Sequence, residues 1–330
     1  MQLTYGNSTA AANVDDLFVA SRNGQLDVVK FLIEKGANIE ARDKDGWTSL
    51  SVASNNGHLE VVKFLIENNA NIEASNKDGY TSLHLASRDG HLDIVKFLIE
   101  HGADINASNK DGYTSLYHAS TNGHLDVVKF LIEKNANIEA WGDLGPYEWT
   151  SLHCASINGH LEVIKFLIEH GANIHARGDL DLFGHTSLYI ASAYGHLEVV
   201  KFLIQHGADI NASGDSDKDG YTSLAIASHN GHLEVVKFLI EHGADIDARG
   251  DSAKDGYTSL SMASQRGHLE VVKFLIEHGA DTNASGENQC QPSKNACEED
   301  HLDVVKFLVE KGANINARNR RKHLPLTWVT

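Results

Sequence analysis

The chain has 330 residues, of which 42% are apolar and 22% are charged, the composition of an ordinary folded protein. Its formal charge of −17 argues against nucleic acid as a partner, because an acidic surface repels phosphate groups. No apolar run approaches the roughly 20 residues that cross a bilayer, and residues 1–8 lack the basic and apolar regions of a signal peptide. We therefore expect a cytoplasmic protein, with the nucleus as the alternative compartment, that is neither secreted nor bound to a membrane.

One ten-residue segment, Gly-His-Leu-Glu-Val-Val-Lys-Phe-Leu-Ile, recurs along the whole chain with small changes. Successive copies are 33, 33, 33, 36, 36, 36, 36 and 33 residues apart, and they begin at Gly24, Gly57, Gly90, Gly123, Gly159, Gly195, Gly231, Gly267 and Asp300. A period near 33 residues, with a turn and two helices in each period, is typical of ankyrin repeats.

The residues within one copy agree with that period. Residues 78–87, Asp-Gly-Tyr-Thr-Ser-Leu-His-Leu-Ala-Ser, resemble the Asp-Gly-x-Thr-Pro-Leu-His-x-Ala segment of the ankyrin family. Residues 90–99 and 102–107 resemble the rest of that repeat, and the resemblance covers about residues 13 to 326. It implies an all-α solenoid, an array of stacked helix-turn-helix units joined by β-hairpin-like fingers. Serine replaces the family's usual proline in Thr-Ser-Leu, which introduces no clash at the first helical position.

Each copy predicts a short inner helix followed by an outer helix. Thr81 suits the N-cap of the inner helix, and Leu83 and Ala86 place small or apolar groups on its packing face. Gly90 suits a left-handed turn between the two helices. The outer helix, residues 92–99, carries a wide apolar stripe.

The outer helix is predicted to end in a second left-handed residue. Gly102 occupies that position, and Asn69 and Asn135 replace the glycine in two copies. Asparagine is the next-best tolerated residue at positive φ, so the substitutions support a left-handed cap.

We predict an N-terminal extension, residues 1–12, followed by one continuous array, residues 13–330. The repeats span about 13–41, 42–74, 75–107, 108–140, 141–176, 177–212, 213–248, 249–284 and 285–317, with a partial tenth repeat at 318–330. The ninth copy starts its inner helix with Gln-Cys-Gln-Pro-Ser at 289–293, so we expect that helix to be short or distorted.

Most of the twenty histidines recur with the repeat, which indicates that they have a structural role. Eight begin the outer helix: His58, His91, His124, His160, His196, His232, His268 and His301. Five more precede its terminal glycine, where a cation-capable group suits the helix dipole: His101, His170, His206, His242 and His278. His153 beside Cys154 does not predict a nucleophile pair, because adjacent helical residues point in different directions.

Other motifs that carry chemistry are incomplete. Residues 215–220 match half of a calcium-binding loop, but Ile226 stands where the bidentate carboxylate is required. Cys154, Cys290 and Cys297 are too few and too unevenly placed for a disulfide framework or a zinc site. We expect no catalysis, no cofactor and no metal.

A residue shared by every copy serves the stack, so function should lie in what differs between copies. The finger position just before Thr-Ser-Leu holds aromatic rings in all but one regular copy: Trp47, Tyr80, Tyr113, Trp149, Tyr221 and Tyr257. In the ankyrin family this position commonly faces the partner. The alternative is that the rings stack on one another and stiffen the fingers.

Copies five and six concentrate apolar residues in fingers that are polar elsewhere. The fingers carry Trp141, Leu144, Pro146, Tyr147, Trp149, Leu180, Leu182 and Phe183, and the inner helices add Tyr117, Ile157, Tyr189 and Tyr194. Such a patch predicts a partner-binding surface, because apolar loop tips are otherwise unfavourable in water. Alternatively, the longer fingers bury these groups against each other.

Our hypothesis is that Tyr147, Trp149, Phe183 and Tyr194 anchor apolar residues of a partner, while acidic fingers select a basic neighbourhood. Alanine at all four should weaken binding by several kcal/mol and leave folding intact. Loss of folding would favour burial instead.

The ankyrin resemblance also implies a modification. Similar finger asparagines in ankyrin repeats are substrates of an oxygenase that hydroxylates their β-carbon. The matching residues are Asn106, Asn211, Asn283 and Asn316.

An array of this kind offers an open groove, whereas catalysis needs a pocket. We therefore expect a monomeric, non-catalytic scaffold or adaptor that binds a protein along its concave finger and inner-helix surface, centred on repeats five and six. The alternatives are an effector-type or regulatory module that occludes a client protein, and a mainly structural spacer.

Overall fold

The protein is built from pairs of α-helices, as a computed structural model shows. The described residues are 12–141, 149–178, 185–213, 221–249, 257–284 and 291–314. Within them no helix is long and apolar enough to cross a membrane. The chain forms two compact units, unit 1 (Met1–Gly145) and unit 2 (Pro146–Thr330). The single continuous array stays a prediction.

The described part of unit 1 contains four helix pairs. They are α1 (Ala12–Arg22), α2 (Leu26–Glu34), α3 (Ser49–Asn55), α4 (Leu59–Glu67), α5 (Ser82–Arg88), α6 (Leu92–Glu100), α7 (Ser115–Thr121) and α8 (Leu125–Glu133). The odd-numbered helices are the inner helices, and within the unit each packs against the inner helix of the next copy.

The described part of unit 2 contains five helix pairs of the same kind. They are α9 (Ser151–Ile157), α10 (Leu161–Glu169), α11 (Ser187–Ala193), α12 (Leu197–Gln205), α13 (Ser223–His229), α14 (Leu233–Glu241), α15 (Ser259–Gln265), α16 (Leu269–Glu277), α17 (Pro292–Glu298) and α18 (Leu302–Glu310). The predicted all-α solenoid class is confirmed.

The Thr-Ser-Leu sequence starts each regular inner helix with a threonine N-cap. In α3 the Ser51 amide donates to Thr48 Oγ1 over 3.2 Å, and the Thr48 amide donates to Ser51 Oγ over 2.8 Å. This reciprocal capping box satisfies two amides that a helix leaves unpaired. Leu50 and Ala53 of the same helix are buried in the core. The inner helix therefore forms without the family's proline.

The two left-handed positions of the repeat differ in how tightly they are packed. Gly90 has φ +77°, and a Cβ there would lie 2.5 Å from His124 Nδ1 of the next copy. Gly102 has φ +94° and faces open space. Asn69 and Asn135, at the position of Gly102, have φ of 63° and 64°. The left-handed cap predicted from the two asparagines is confirmed.

Histidines that begin outer helices bond to the preceding copy of the same unit. His58 Nε2 donates to the carbonyl of Arg22 over 2.8 Å, and His232 Nε2 donates to that of Ala193 over 2.9 Å. Neither His58 nor His232 caps its own helix with its side chain. The structural role of such N-cap histidines is therefore a hydrogen bond between copies.

The finger, the loop from one outer helix to the next inner helix, is closed by a side chain in unit 1. Asn76 Oδ1 accepts from the amides of Asp78 and Tyr80 over 3.0 and 2.9 Å. Successive fingers are then joined by their backbones, since the Lys110 amide donates to the Asp78 carbonyl over 2.9 Å. Isolated antiparallel bridges such as Ser108 with Thr114 give the fingers the expected hairpin character.

The ninth copy corrects one prediction. Its inner helix α17 has seven residues, as the regular inner helices have, so the expected short or distorted helix is wrong. Pro292 stands at the first helical position, where its fixed φ favours helix and its missing amide proton costs nothing. Ala296 and Cys297 of this helix are buried, as the packing face of an inner helix requires.

Candidate functional site

The finger rings are half-buried, and several of them contact other rings. Tyr113 stacks on Tyr117 with centroids 3.9 Å apart, and His185 stacks on Tyr189 at 4.1 Å. The members of the predicted set, all half-buried, are Trp47, Tyr80, Tyr113, Trp149, Tyr221 and Tyr257. These stacked pairs join a finger ring to a ring of its own inner helix, and part of each ring stays in solvent. Whether the finger rings stack on one another, as in the alternative interpretation, stays a prediction.

In copies five and six, Trp141 is 51% exposed and Tyr194 is 56% exposed. Trp149, Ile157 and Tyr189 are half-buried. The remaining predicted finger residues lie outside the described residues: Leu144, Pro146, Tyr147, Leu180, Leu182 and Phe183. Whether those tips are exposed or self-packed stays a prediction.

A groove in unit 2 brings several predicted rings together, and we call it the unit 2 groove. It has a volume of about 430 Å³ and is lined by His185, Tyr189, Tyr221, Ile226, His229, Tyr257, Met262, Gln265 and Arg266. Finger positions supply three of the rings, and α11, α13 and α15 supply the other side chains except Arg266, which follows α15. The Tyr221 and Tyr257 rings meet edge to face at 6.4 Å.

Unit 1 has a groove on the same kinds of elements, which we call the unit 1 groove. It has a volume of about 370 Å³ and is lined by Asp45, Trp47, Asn76, Lys77, Asp78, Tyr80, Leu85 and Arg88. Arg88 is neutralised locally, because its Nε lies 3.1 Å from Asp89 Oδ1. Its Nη2 donates to Asn55 Oδ1 over 2.7 Å.

The arginine of the unit 2 groove is held by a histidine. Arg266 Nε donates to His229 Nε2 over 3.0 Å. Burial lowers the pKa of His229, and the positive charge of Arg266 lowers it further. His229 therefore stays neutral near pH 7. The finger residues 214–220 and 250–256, which precede Tyr221 and Tyr257, lie outside the described residues.

Sequence reasoning missed Arg266, although a signal was present. The residue that follows the inner helix is asparagine in five copies, Asn23, Asn56, Asn122, Asn158 and Asn230, and Asp89, Tyr194, Arg266 or Glu299 in the four others. Only the aromatic departure, Tyr194, was selected from the sequence. Of the charged departures, Arg266 lines the unit 2 groove, and Asp89 pairs with Arg88 of the unit 1 groove.

Two histidines of the inner helices are buried and structural. The Thr81 amide donates to His84 Nδ1 over 3.1 Å, so His84 is neutral and its Nε2 donates to the Tyr113 carbonyl over 3.1 Å. His153 makes the matching bonds to Thr150 and to the Ala176 carbonyl. Burial lowers the pKa of both histidines to about 4. His153 is thus engaged at both ring nitrogens and does not activate Cys154.

His118 is buried like His84 and His153, but one of its ring nitrogens lacks a hydrogen bond in the described residues. It occupies a position that is apolar in other inner helices, such as Leu85, and packs against the rings of Tyr80 and Tyr117 at 5.1 and 5.4 Å. Its Nε2 is buried with no hydrogen-bond partner among the described residues. Burial lowers its pKa to about 3, with a further contribution from the nearby His84 and Arg88.

The finger asparagines link successive copies. Asn106 Oδ1 accepts from the Asn137 amide over 2.8 Å, and Asn283 Oδ1 accepts from the Asn314 amide over 2.7 Å. Asn211 makes the same contact, and Asn316 lies outside the described residues. Glu73 Oε1 does this in another copy, so an acceptor oxygen is what the stack needs. Hydroxylation of the β-carbons stays a prediction.

Within the described ranges, no three His, Cys, Asp or Glu side chains group in a way that could hold a metal ion. Cys154 and Cys297 are buried in α9 and α17. Cys290 lies outside the described residues.

The paired helices, the left-handed glycines and the bonds between copies define a helical repeat protein of the solenoid class. A family model of ankyrin repeats (3 copies) matches residues 17–109, 103–178, 176–250 and 247–319. The chain therefore belongs to the ankyrin repeat family. Ankyrin repeats are generally protein–protein interaction modules, and the family is generally non-catalytic. No curated protein matches the chain.

Proposed function

We propose that this chain is a non-catalytic scaffold or adaptor of the cytoplasm that binds a protein through its finger rings and inner helices. Half-buried rings with an exposed face support this role, because Tyr and Trp offer large rigid area at low entropic cost. A regulatory module that occludes a client protein would use the same surface.

Tyr194 is the single observation that carries the proposal, and it supports a surface that includes repeat six. The side chain is 56% exposed, although five other copies carry asparagine at the same position. The stack therefore does not require tyrosine there. A large exposed ring that the scaffold does not need is typical of an interface anchor.

Tyr194→Asn tests this proposal with a residue that the repeat itself uses. The new asparagine can bond to the Ile190 carbonyl, as Asn56 Nδ2 bonds to the Val52 carbonyl over 2.7 Å, so folding should be unchanged. Tagged chain and variant are compared by affinity purification and quantitative mass spectrometry from the native host. We expect specific partners to fall about tenfold or more on the variant.

Lys237→Gln is the control, because Lys237 pairs with Glu234 on the outer helix α14 and should not face the partner. Equal recovery on Tyr194→Asn, Lys237→Gln and the unchanged chain would contradict a Tyr194 anchor. No protein above a blank on any of them would favour a mainly structural spacer.

The charge of unit 1 supports a basic region on the partner. Asp45 and Asp78 line the unit 1 groove, and Asp89 neutralises Arg88 beside it. With the formal charge of −17, these carboxylates favour cationic side chains near the fingers. The corresponding fingers of unit 2 lie outside the described residues.

A further inference from the structure

An arginine joins neighbouring fingers at one position of the repeat. Arg42 Nη1 donates to the carbonyl of Gly46 in its own finger over 3.2 Å, and to the carbonyl of Ser75 in the next finger. In unit 2, Arg177 Nη1 donates in the same way to the Ser213 carbonyl over 2.8 Å. The finger backbone therefore presents carbonyl oxygens to a guanidinium at this position.

Copy four lacks that arginine and has a cavity at the same place. Ser108, Gly112 and Trp141 stand at the repeat positions of the arginine and of its two carbonyl partners. All three line a cavity of about 480 Å³ in unit 1, which we call the Trp141 cavity. Within the described residues, neither the Gly112 carbonyl nor the Trp141 carbonyl accepts a hydrogen bond. Copy four therefore leaves open the position that Arg42 fills in copy two.

The other lining residues of the Trp141 cavity also favour a cation. Trp141 is 51% exposed, and the face of an indole ring attracts cations. Glu139 is half-buried and is the one ionisable side chain among the described residues that line the cavity. Residues 142–148 lie outside the described residues, and their sequence holds Asp143 and Glu148 but no lysine, arginine or histidine. That segment therefore has no basic side chain of its own to place in the cavity.

Arginine matches this lining better than lysine does. A guanidinium is planar and carries five donors in a fixed fork, so it can bond to two carbonyl oxygens at once and stack on an indole ring. A lysine ammonium is a compact, strongly hydrated point charge. The side chains that already make these bonds within the chain, Arg42 and Arg177, are also arginines.

We propose that the Trp141 cavity binds an arginine side chain of the partner protein. The guanidinium donates to the carbonyls of Gly112 and Trp141, as Arg42 donates within the chain, and it stacks on the Trp141 ring. The inference rests on the proposed function and adds one side chain that the partner presents.

Two parallel selections from a random heptapeptide phage library test the proposal. The first selection uses the immobilised full chain. The second uses Ser108→Arg, in which copy four supplies its own arginine to the cavity, as copy two does with Arg42. Peptides that are enriched on the unchanged chain but not on Ser108→Arg should contain arginine several times as often as the starting library does.

The affinity of a synthetic peptide made from the selected consensus gives the size of each effect. Ser108→Arg should weaken binding about tenfold or more, because its own guanidinium takes the place of the peptide's. Trp141→Ser introduces the residue that Ser75 and Ser213 provide at this position, and loss of the ring should weaken binding about two- to fivefold. Lysine in place of the peptide's arginine should weaken binding about tenfold, since it loses the two-point contact.

Asn68→Lys controls for the positive charge that Ser108→Arg adds. It places a lysine at the end of an outer helix, where Lys35 and Lys134 stand in copies one and four. It should bind the consensus peptide as the unchanged chain does. Equal weakening by Asn68→Lys and Ser108→Arg would show that net charge, rather than the cavity, sets the affinity, and would overturn the proposal.

The outcomes separate this inference from the proposed function. A selected pool without excess arginine, a lysine peptide that binds equally well, or no selected peptide at all would overturn the arginine site. A melting temperature of Ser108→Arg below that of the unchanged chain would do the same, because the cavity would then not hold a guanidinium. None of these results contradicts protein binding by the chain, which partner recovery with Tyr194→Asn tests independently.

Discussion

The unit 1 and unit 2 grooves are built on the same kinds of elements, finger residues and inner helices, and they hold their arginines differently. In the unit 1 groove Arg88 pairs with Asp89. In the unit 2 groove Arg266 donates to the neutral ring of His229. The repeat fixes where a groove forms, and single positions outside the repeat's requirements fix how its arginine is held.

The scaffold beneath the two grooves is the same. In unit 1 His91 Nε2 donates to the Asn55 carbonyl over 3.0 Å, and in unit 2 His268 Nε2 donates to the His229 carbonyl over 3.0 Å. Experiments can therefore separate properties that the units share from properties that distinguish them.

The largest expected effect on stability is the effect of acid. Burial lowers the pKa of His84 and His118 in unit 1 to about 4 and 3, and the pKa of His153 in unit 2 to about 4. The folded state then binds fewer protons than the unfolded state below the usual pKa of 6.5, so stability is full above pH 6.5 and falls as the pH drops towards 4. At pH 5 each buried histidine should cost roughly 2 kcal/mol of unfolding free energy.

Amide hydrogen exchange at pH 7 and pH 5, corrected for intrinsic rates, measures the protection free energy of each unit separately. Unit 1 should lose about 4 kcal/mol of protection free energy between these pH values, because it holds two buried histidines at roughly 2 kcal/mol each. His84→Ser combined with His118→Leu, residues that other copies use at these positions, should flatten the change in unit 1. An unchanged slope in the double variant would contradict this account.

The next largest effect is a loss of unfolding free energy that should be the same in both units. Gly90→Asn puts a side chain at φ +77° against the His124 ring, and Gly231→Asn does the same against His268. The ring cannot move away without breaking its bond to the preceding copy, so each change should cost roughly 3 kcal/mol. Urea unfolding measures the loss.

Gly102→Asn is the matched control, because its φ is also positive but nothing lies within 4 Å of a new Cβ. Asn69 and Asn135 already occupy the same position in other copies. Its cost should stay below about 1 kcal/mol. Similar losses for Gly90→Asn and Gly102→Asn would show that φ, rather than contact between copies, sets the requirement.

A smaller, stabilising effect is expected for unit 1 alone. His118→Leu removes a buried Nε2 that has no partner in the described residues, and Leu85 shows that leucine fits the position with no exposed surface. Unfolding free energy should rise by about 1 kcal/mol. Thermal melting of the variant decides the point, and destabilisation would mean that the Tyr80–His118 ring contact matters more than the orphaned nitrogen.

The smallest effect on stability is expected at the groove charges themselves. Asp89→Asn and Arg266→Asn each introduce the commonest residue of that position, and both original side chains are largely on the surface. Each should change the unfolding free energy by less than about 0.5 kcal/mol. A larger loss for Arg266→Asn would show that the arginine serves the stack.

Much of the fold followed from local signals. Asn69 and Asn135 predicted left-handed caps because only a few residues tolerate positive φ, and the seven Thr-Ser-Leu sequences predicted the inner helices. The prediction for the ninth copy was wrong because it weighed the missing threonine above the helix-favouring Pro292. Tyr194 was proposed from the sequence as a partner anchor, and its 56% exposure is compatible with that role.

The chain's sequence by itself determined the period, the helices, the turns and the family, because each of these depends on residues that are close in the chain and repeated in every copy. The grooves were decided only by tertiary structure. Arg266 and His229 are 37 residues apart, and their pairing exists only because successive inner helices pack side by side. A charge pattern of that kind depends on which copies become neighbours in space.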